Sequence, residues 1–251
     1  MVYQKKLHLV SQYIKTNSKL ILFLGAINPF LYYLVLFRAY DLLPAQEAQA
    51  INYTWALTLA FLSVPFLKQK LYFVDIVAGV LCYFGVVVIA TKGDPFSMNF
   101  SNMEGVIYAL LSTVLWSFYW IYSTKSKADP VVGLFSNFLF SMPIIIIYFI
   151  ITQPLSIPDI NGIYGAVYVG FFEMGITFLF WLKAMQTTKN TSSISNLIFI
   201  SPFLSLVFIY FILGEKIYMS TIEGLALIIF GLVLVAIFDK KKVKKVESLT
   251  S

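Results

Sequence analysis

The sequence is poor in the residues that build most catalytic and metal-binding sites. It contains one cysteine, Cys82, and one histidine, His8, so an intrachain disulfide and a Cys/His zinc site are excluded within one chain. Charged residues make up 12% of the chain, where a soluble domain averages about 25%. These shortages argue against a soluble enzyme and a disulfide-stabilised domain, and we expect no metal and no cofactor.

Apolar residues take the place of the missing charges. Hydrophobic residues make up 59% of the chain and aromatic residues 18%, which is typical of helices that face lipid. The net charge of +6 would suggest a nucleic-acid partner if it formed a patch on a soluble fold. The lysines lie instead in short gaps between apolar runs, so we expect the lipid bilayer as partner and no nucleic acid.

Eight apolar segments are long enough to cross a membrane as helices. A hydrocarbon core about 30 Å thick requires about 20 helical residues. Runs such as the four isoleucines at 144–147 lack the alternation of a β-barrel strand. The predicted spans, named a to h, lie near residues 19–39, 45–66, 72–91, 104–123, 130–151, 161–184, 191–213 and 219–238. The predicted fold class is an all-α integral membrane protein with eight transmembrane helices.

The distribution of Lys and Arg predicts the orientation of these spans. Arg38, Lys92 and Lys216 fall on one face of the membrane, and the others of the 18 basic residues fall on the opposite face. Because cytoplasmic loops are enriched in Lys and Arg, both termini are predicted to be cytoplasmic, in the cytoplasmic (inner) membrane. Residues 1–18 would then form a cytoplasmic N-terminal segment, 92–103 an extracytoplasmic loop and 239–251 a basic cytoplasmic tail.

Spans a–c recur as spans f–h. Identical residues stand at a constant offset: Lys70 and Lys216, Tyr72 and Tyr218, Gly85 and Gly231. The orientation makes a and f run in opposite directions, so the repeats are predicted to be inverted. Inverted repeats are typical of secondary transporters, which bind substrate near the midplane where the halves meet. Residues 19–91 would form an incomplete first repeat of three helices, and residues 104–238 a second repeat of five.

Several short motifs connect this arrangement with a known family. They are Leu42-Leu43-Pro44-Ala45, Glu47-x-x-x-Ile51-Asn52-Tyr53-x-Trp55, Leu115-Trp116-x-x-Tyr119 and Leu213-Gly214-Glu215-Lys216. The chain resembles the EamA-type permeases of the drug/metabolite transporter superfamily, and the second motif is most similar to bacterial aromatic amino acid exporters. The resemblance implies a permease that exports amino acids or related small metabolites by alternating access. It also implies a plan of 5+5 helices, of which this chain carries 3+5 and lacks the first two.

Ionisable and amide side chains within spans mark one set of candidate site residues. Glu173 lies near the middle of span f, and its repeat counterpart is Asn28, in the middle of span a beside Pro29. Because polar groups are costly in lipid, we expect both to face a shared pocket as substrate contacts, with Glu173 as a site for proton coupling. The alternative for Glu173 is a protonated side chain that holds helices together. Glu47, in the first turn of span b, either caps that helix or contacts the ligand.

Polar and aromatic faces give the other candidates. Asn52 and Tyr53 share one face of span b, which lines either a cavity or a helix contact. Trp116 and Trp181 can hold apolar, aromatic or cationic solutes, or else belong to interfacial belts. Asn196, in a Ser-rich stretch of span g, lines a polar cavity or packs against another helix. All five are predicted to bind a small-molecule substrate.

Two other classes of protein compete with a transporter. The first is a truncated membrane protein that does not transport, or a half that requires a partner chain, and a homodimer is one form of this alternative. The second is a membrane enzyme, which needs paired acids, a metal cluster or an activated nucleophile. The scattered acids of this sequence supply none of these, so no enzymatic activity is predicted.

Overall fold

A computed structural model describes residues 7–68, 72–97, 100–125, 129–152, 159–177, 180 and 201–250, and every regular element in these residues is helical. The α-helices are α1 (Leu7–Gly25), α2 (Tyr32–Leu42), α3 (Ala45–Asn52), α4 (Trp55–Leu67), α5 (Phe73–Ala90), α6 (Met103–Lys125), α7 (Pro130–Thr152), α8 (Ile160–Tyr168), α9 (Ser201–Phe208) and α10 (Met219–Thr250). Three π-helical segments are π1 (Ala26–Leu31), π2 (Val169–Thr177) and π3 (Ile209–Leu213). The predicted all-α class is confirmed.

Six helical runs among the described residues are long and apolar enough to cross a membrane. They are His8–Leu42, Ala45–Leu67, Phe73–Ala90, Met103–Ser123, Val131–Thr152 and Met219–Phe238. These runs correspond to predicted spans a–e and h. Spans f and g extend into residues outside the described ones, and the described part of g includes a shorter apolar helix, Ser201–Leu213.

The first span begins earlier than its hydropathy predicts. Helix α1 starts at Leu7, although the polar residues after it suggested a start near residue 19. Two of these polar side chains bond back to the preceding turn: Thr16 Oγ1 donates to the Gln12 carbonyl at 3.0 Å, and Asn17 Nδ2 to the Tyr13 carbonyl at 3.4 Å. Asn17 nevertheless leaves helical geometry, with φ −129° and ψ 25°, so α1 is kinked there, two residues before the predicted start of span a.

The second span matches its predicted extent but is interrupted in the middle. Helix α3 ends at Asn52 and α4 begins at Trp55, with a turn at residues 53–54. In this turn Thr54 Oγ1 donates to the Ile51 carbonyl at 2.9 Å. Side-chain bonds of this kind compete with the regular helical pattern. The sequence has neither Gly nor Pro at this point, so the interruption was not part of the prediction.

The contacts of the chain group into two compact units. One comprises residues 1–30 and 126–195, and the other residues 31–125 and 196–251. In the first unit α1 packs on α7 at Gly25, where an added Cβ would lie 2.5 Å from the Asn137 carbonyl oxygen and 3.3 Å from the Ser141 nitrogen. Glycine is therefore required for the two backbones to approach this closely.

In the second unit α5 and α10 pack backbone to backbone. A Cβ on Gly85 would lie 2.6 Å from the Gly224 carbonyl oxygen, and one on Gly231 would lie 2.9 Å from the Ala78 carbonyl oxygen. Ala78 of α5 contacts Gly231 of α10, and Gly85, further along α5, contacts Gly224, which comes earlier in α10. The two helices are therefore antiparallel.

The centre of this contact has the symmetry of an inverted repeat. The Cys82 thiol donates to the Ile228 carbonyl at 3.2 Å, and the two residues are 146 positions apart. This is the offset that aligns Gly85 with Gly231 in the sequence. Exchanging the repeats therefore maps the Cys82–Ile228 contact onto itself and the two glycine contacts onto each other. A local twofold axis through Cys82 and Ile228 relates the closing helices of the two repeats, which supports the predicted inversion.

Candidate functional site

Polar and aromatic side chains of five helices surround the turn between α3 and α4 in the second unit. We call this group the break cluster, and its members are Tyr32, Asn52, Tyr53, Trp55, Thr58, Tyr83, Ser112, Thr113 and Trp116. Polar side chains are rare in the middle of a membrane span and mark binding sites or helix contacts there. Tyr53 and Thr54 keep right-handed helical dihedrals, so the turn is a local distortion of one continuous span.

Asn52 joins three helices at the centre of the break cluster. Its Nδ2 donates to Ser112 Oγ on α6 at 2.7 Å, and Tyr32 Oη on α2 donates to its Oδ1 at 3.5 Å. Ser112 Oγ in turn donates to the Ala109 carbonyl at 2.6 Å. The amide of Asn52 is thus held in one orientation, and its longest hydrogen bond, to Tyr32, is the weakest.

A group of hydroxyls lies next to Asn52. Thr58 Oγ1 lies 3.0 Å from Tyr83 Oη and 3.1 Å from Thr113 Oγ1, both hydrogen-bond distances. The Tyr53 hydroxyl is hydrogen-bonded to the side chain of Ser201, the first residue of α9. Helices from both repeats therefore contribute polar groups to the surroundings of the break.

Trp116 is the centre of an aromatic wall. Its ring centroid lies 4.6 Å from that of Tyr32, in a tilted arrangement, and 6.5 Å from that of Trp55, edge to face. Tyr119 stacks at 5.8 Å and Trp120 packs edge-on at 5.9 Å. Rings at these distances attract one another beyond simple burial, and their faces attract aromatic and cationic groups.

The start of α3 is capped by a carboxylate from the other repeat. Its N-cap residue, Pro44, offers no side-chain hydrogen bond. Glu215 accepts from the backbone nitrogen of Ala45 at 2.9 Å and from that of Gln46 at 3.4 Å. A carboxylate at this position satisfies free helix N–H groups and is favoured by the helix dipole. In the sequence Glu215 stood out only as part of the motif at 213–216. Its capping role was not predictable from local patterns, because its partners are about 170 residues away in the sequence.

Gln46 extends this connection to the start of α10. Its Oε1 accepts from the Tyr218 nitrogen at 3.0 Å and from Thr221 Oγ1 at 2.9 Å. Its Nε2 donates to the Lys216 carbonyl at 2.8 Å. We call Gln46, Glu215 and these partners the end network. It joins the first repeat to the second at one end of the unit.

Glu47 does not cap α3, which was one of its two predicted roles. The residue is 1% exposed, and its Oε2 accepts a hydrogen bond from Ser101 Oγ at 2.7 Å. In the described part of the chain its buried Oε1 has no hydrogen-bond partner. The carboxylate that accepts from the first N–H groups of α3 is that of Glu215.

The structure brings some of the predicted site residues together. Asn52, Tyr53 and Trp116 all belong to the break cluster. Asn28 is 2% exposed in π1 of the first unit, and its Oδ1 has no hydrogen-bond partner. Glu173 lies in π2 of the same unit with an exposed side chain, and its convergence with Asn28 on one pocket stays a prediction. Trp181 and Asn196 lie outside the described residues.

Comparisons with known proteins identify a family, relatives and a shared fold. The sequence profile of the EamA-like transporter family matches residues 3–91 and 103–237. An uncharacterized transporter of Clostridium kluyveri is 28% identical over 222 residues, which cover 80% of this chain and 71% of that protein. One of Archaeoglobus fulgidus is 27% identical over 177 residues, covering 69% and 61%. A crystal structure with 18% sequence identity shares the fold, with a TM-score of 0.60 over 92% of this chain and 83% of its own.

Proposed function

Because the chain belongs to the EamA-like transporter family, we propose that it is a secondary transporter that moves amino acids or related small metabolites out of the cell. The family and its relatives establish a multi-pass membrane transporter. The substrate class, the direction and the mechanism are our proposal. The observation that carries it is the break cluster, where a span is interrupted beside a fixed amide and an aromatic wall.

The chemistry of the break cluster suits an amino acid with an aromatic or apolar side chain. The amide of Asn52 both donates and accepts, so it can bind a carboxylate or an ammonium group. The faces of Trp116 and Tyr32 offer a flat apolar surface within reach of that amide. Such a combination of apolar walls and a few oriented polar groups is typical of small-molecule sites.

Alternating access would require the end network to open and close. In the structure Glu215 and Gln46 join the two repeats at the start of α3. The charge distribution puts this end at the extracytoplasmic face, with both termini in the cytoplasm. A solute bound at the break cluster would leave the cell when these hydrogen bonds break and the repeats separate at this end.

The remaining predicted residues keep a proposed role. Asn28, Trp181 and Asn196 are further candidate substrate contacts, and Glu173 is a candidate for proton coupling. Each can be tested by the transport assay below. A homodimer or a partner chain is compatible with this function and is tested by the mass of the purified particle in detergent.

Counterflow into proteoliposomes tests the function directly. Vesicles loaded with unlabelled L-phenylalanine, L-tryptophan, L-leucine or glucose would receive the corresponding radiolabelled solute outside. We expect accumulation of at least one amino acid and none of glucose. Asn52→Leu should reduce the initial rate roughly tenfold, since a buried hydrogen-bonding partner is worth about 1–3 kcal/mol.

The matched control is Asn161→Leu, the same change at an exposed position of α8. It should transport like the wild type. Absence of counterflow for every amino acid in folded protein would contradict the proposed substrate class. An Asn52→Leu protein with wild-type rates would remove the break cluster as the site.

A further inference from the structure

The structure buries a carboxylate near the end of a span. Glu47 lies in the first turn of α3, within the Ala45–Leu67 span, and is 1% exposed. One carboxylate oxygen accepts a hydrogen bond from Ser101, and the other is buried with no hydrogen-bond partner among the residues that the structure describes. Burying a carboxylate anion in this way carries a large desolvation cost unless a cation pairs with it.

No such pair forms among the described residues. The titratable groups that face Glu47 are Lys92, from the loop after α5, and Glu215, from the connection before α10. Lys92 is exposed, and its Nζ lies 5.8 Å from the centroid of an aromatic ring, that of Tyr218. The ion pairs of this part of the chain are those of Arg38, which lies 3.8 Å from Glu104 and not beside Glu47.

The neighbouring acid, Glu215, is in the opposite situation. It accepts two backbone N–H groups at the start of α3 and the side-chain N–H of Gln46. Three donors and a helix N-terminus stabilise its negative charge. An anion at Glu47 would be repelled by Glu215, would be attracted by Lys92 and would accept one hydrogen bond, from Ser101. Its burial from water opposes the charge more than these two stabilising contacts favour it.

We propose that Glu47 is a proton-binding site. It holds a proton while the end of the unit is packed as in the structure and releases it to water when that end opens. The reaction is the reversible addition of one proton from bulk water to the carboxylate of Glu47. Protonation does not depend on which solute is transported, whereas its coupling to opening rests on the proposed function. A low pH would then favour the packed end, and a rising pH would favour the open one.

Infrared spectroscopy of the purified full-length protein tests protonation without any transport. A protonated carboxyl group gives a carboxylic-acid C=O band that shifts in heavy water. At neutral pH we expect this band in the wild type and in Glu104→Gln, a control at an exposed acid. The band should lose one component in Glu47→Gln, while any component from Glu173 should remain. A band that persists unchanged in Glu47→Gln, or a wild type without the band, would overturn the proposal.

A second variant keeps the test informative if Glu47→Gln does not fold. Ser101→Ala removes the hydrogen bond that stabilises the Glu47 anion, so its carboxylic-acid band should persist to a higher pH than in the wild type. For a single site the ratio of protonated to deprotonated protein should change tenfold per pH unit. Loss of the band at a lower pH than in the wild type would contradict the assignment. Because no solute is present, a failed counterflow assay leaves this result intact.

Discussion

The α5–α10 contact and the break cluster lie in the same unit but are held together in different ways. The helices α5 and α10 meet through glycines and one thiol, with almost no polar side chain between them. The break cluster is joined by amide, hydroxyl and aromatic groups. Close backbone packing is sufficient to hold helices together in lipid. The polar groups of the break cluster also join helices, and the binding role that we propose for them is the hypothesis that the following experiments test.

Overpacking the α5–α10 contact should have the largest effect. Gly85→Leu places a side chain where a Cβ alone would lie 2.6 Å from the Gly224 carbonyl oxygen. We expect destabilisation of about 3 kcal/mol, the upper range for overpacked sites, and a large loss of folded protein. The measurement is the thermal stability of the purified protein in detergent.

The control for this change is Gly162→Leu in α8, where an added Cβ would meet nothing within 4 Å. It should leave the melting temperature within a few degrees of the wild type. If the two substitutions had equal effects, the α5–α10 contact would not be the rigid part of the unit.

Removing the aromatic wall should affect binding and leave stability largely intact. Trp116→Leu deletes the ring that packs against Tyr32, Trp55 and Tyr119. A desolvated cation–π contact is worth about 2 kcal/mol, so the half-saturation concentration for solutes with a cationic group should rise roughly thirtyfold. Counterflow with an amino acid and with its uncharged isostere separates the cation–π attraction of the ring from its apolar packing. Equal losses for both solutes would show that the ring acts by packing alone.

Neutralising the cap of α3 should loosen the end network and spare the α5–α10 contact. Glu215→Gln keeps an acceptor oxygen but loses the charge at the helix N-terminus, which is worth about 0.3–1 kcal/mol. Asp75→Asn is the matched control, because Asp75 caps its own helix by accepting from the Tyr72 nitrogen at 2.7 Å. We expect faster hydrogen exchange of the α3 amides in Glu215→Gln alone. Unchanged exchange at α3 would argue against the cap.

The smallest effect should come from Tyr32→Phe. It removes the O–H that donates to Asn52 Oδ1 at 3.5 Å and keeps the ring against Trp116. A bond this long is worth about 0.5 kcal/mol, so the transport rate should fall roughly twofold. A tenfold loss would show that the hydroxyl, and not only the ring, contacts the solute directly.

Hydropathy was sufficient to predict much of the fold. Span c was predicted near 72–91 and α5 runs from Phe73 to Ala90, because an apolar segment of this length in lipid can satisfy its backbone only as a helix. The repeat was also visible, since the glycines at 85 and 231 are required where backbones meet. Asn52, Tyr53 and Trp116 became candidates because polar and aromatic faces are conspicuous in an apolar span, and the structure places all three in the break cluster.

Three features were not predictable from local patterns. The turn at residues 53–54 contains neither Gly nor Pro, and it depends on the Thr54 side chain competing for the Ile51 carbonyl. The capping role of Glu215 depends on a contact between distant parts of the chain. The early start of α1 depends on polar side chains that bond back to their own turn. Each of these three features depends on which hydrogen-bond partner a polar group takes. The composition of a segment does not specify that partner.

Fluorine NMR of the protein labelled with fluorotryptophan tests the break cluster most directly. The chain has four tryptophans, so the spectrum should contain four resonances that single Trp→Phe variants can assign. A solute identified by counterflow should shift the resonance of Trp116 most and that of its neighbour Trp55 next. A shift confined to Trp181, or no shift at saturating solute, would contradict the placement of the binding site at the turn between α3 and α4.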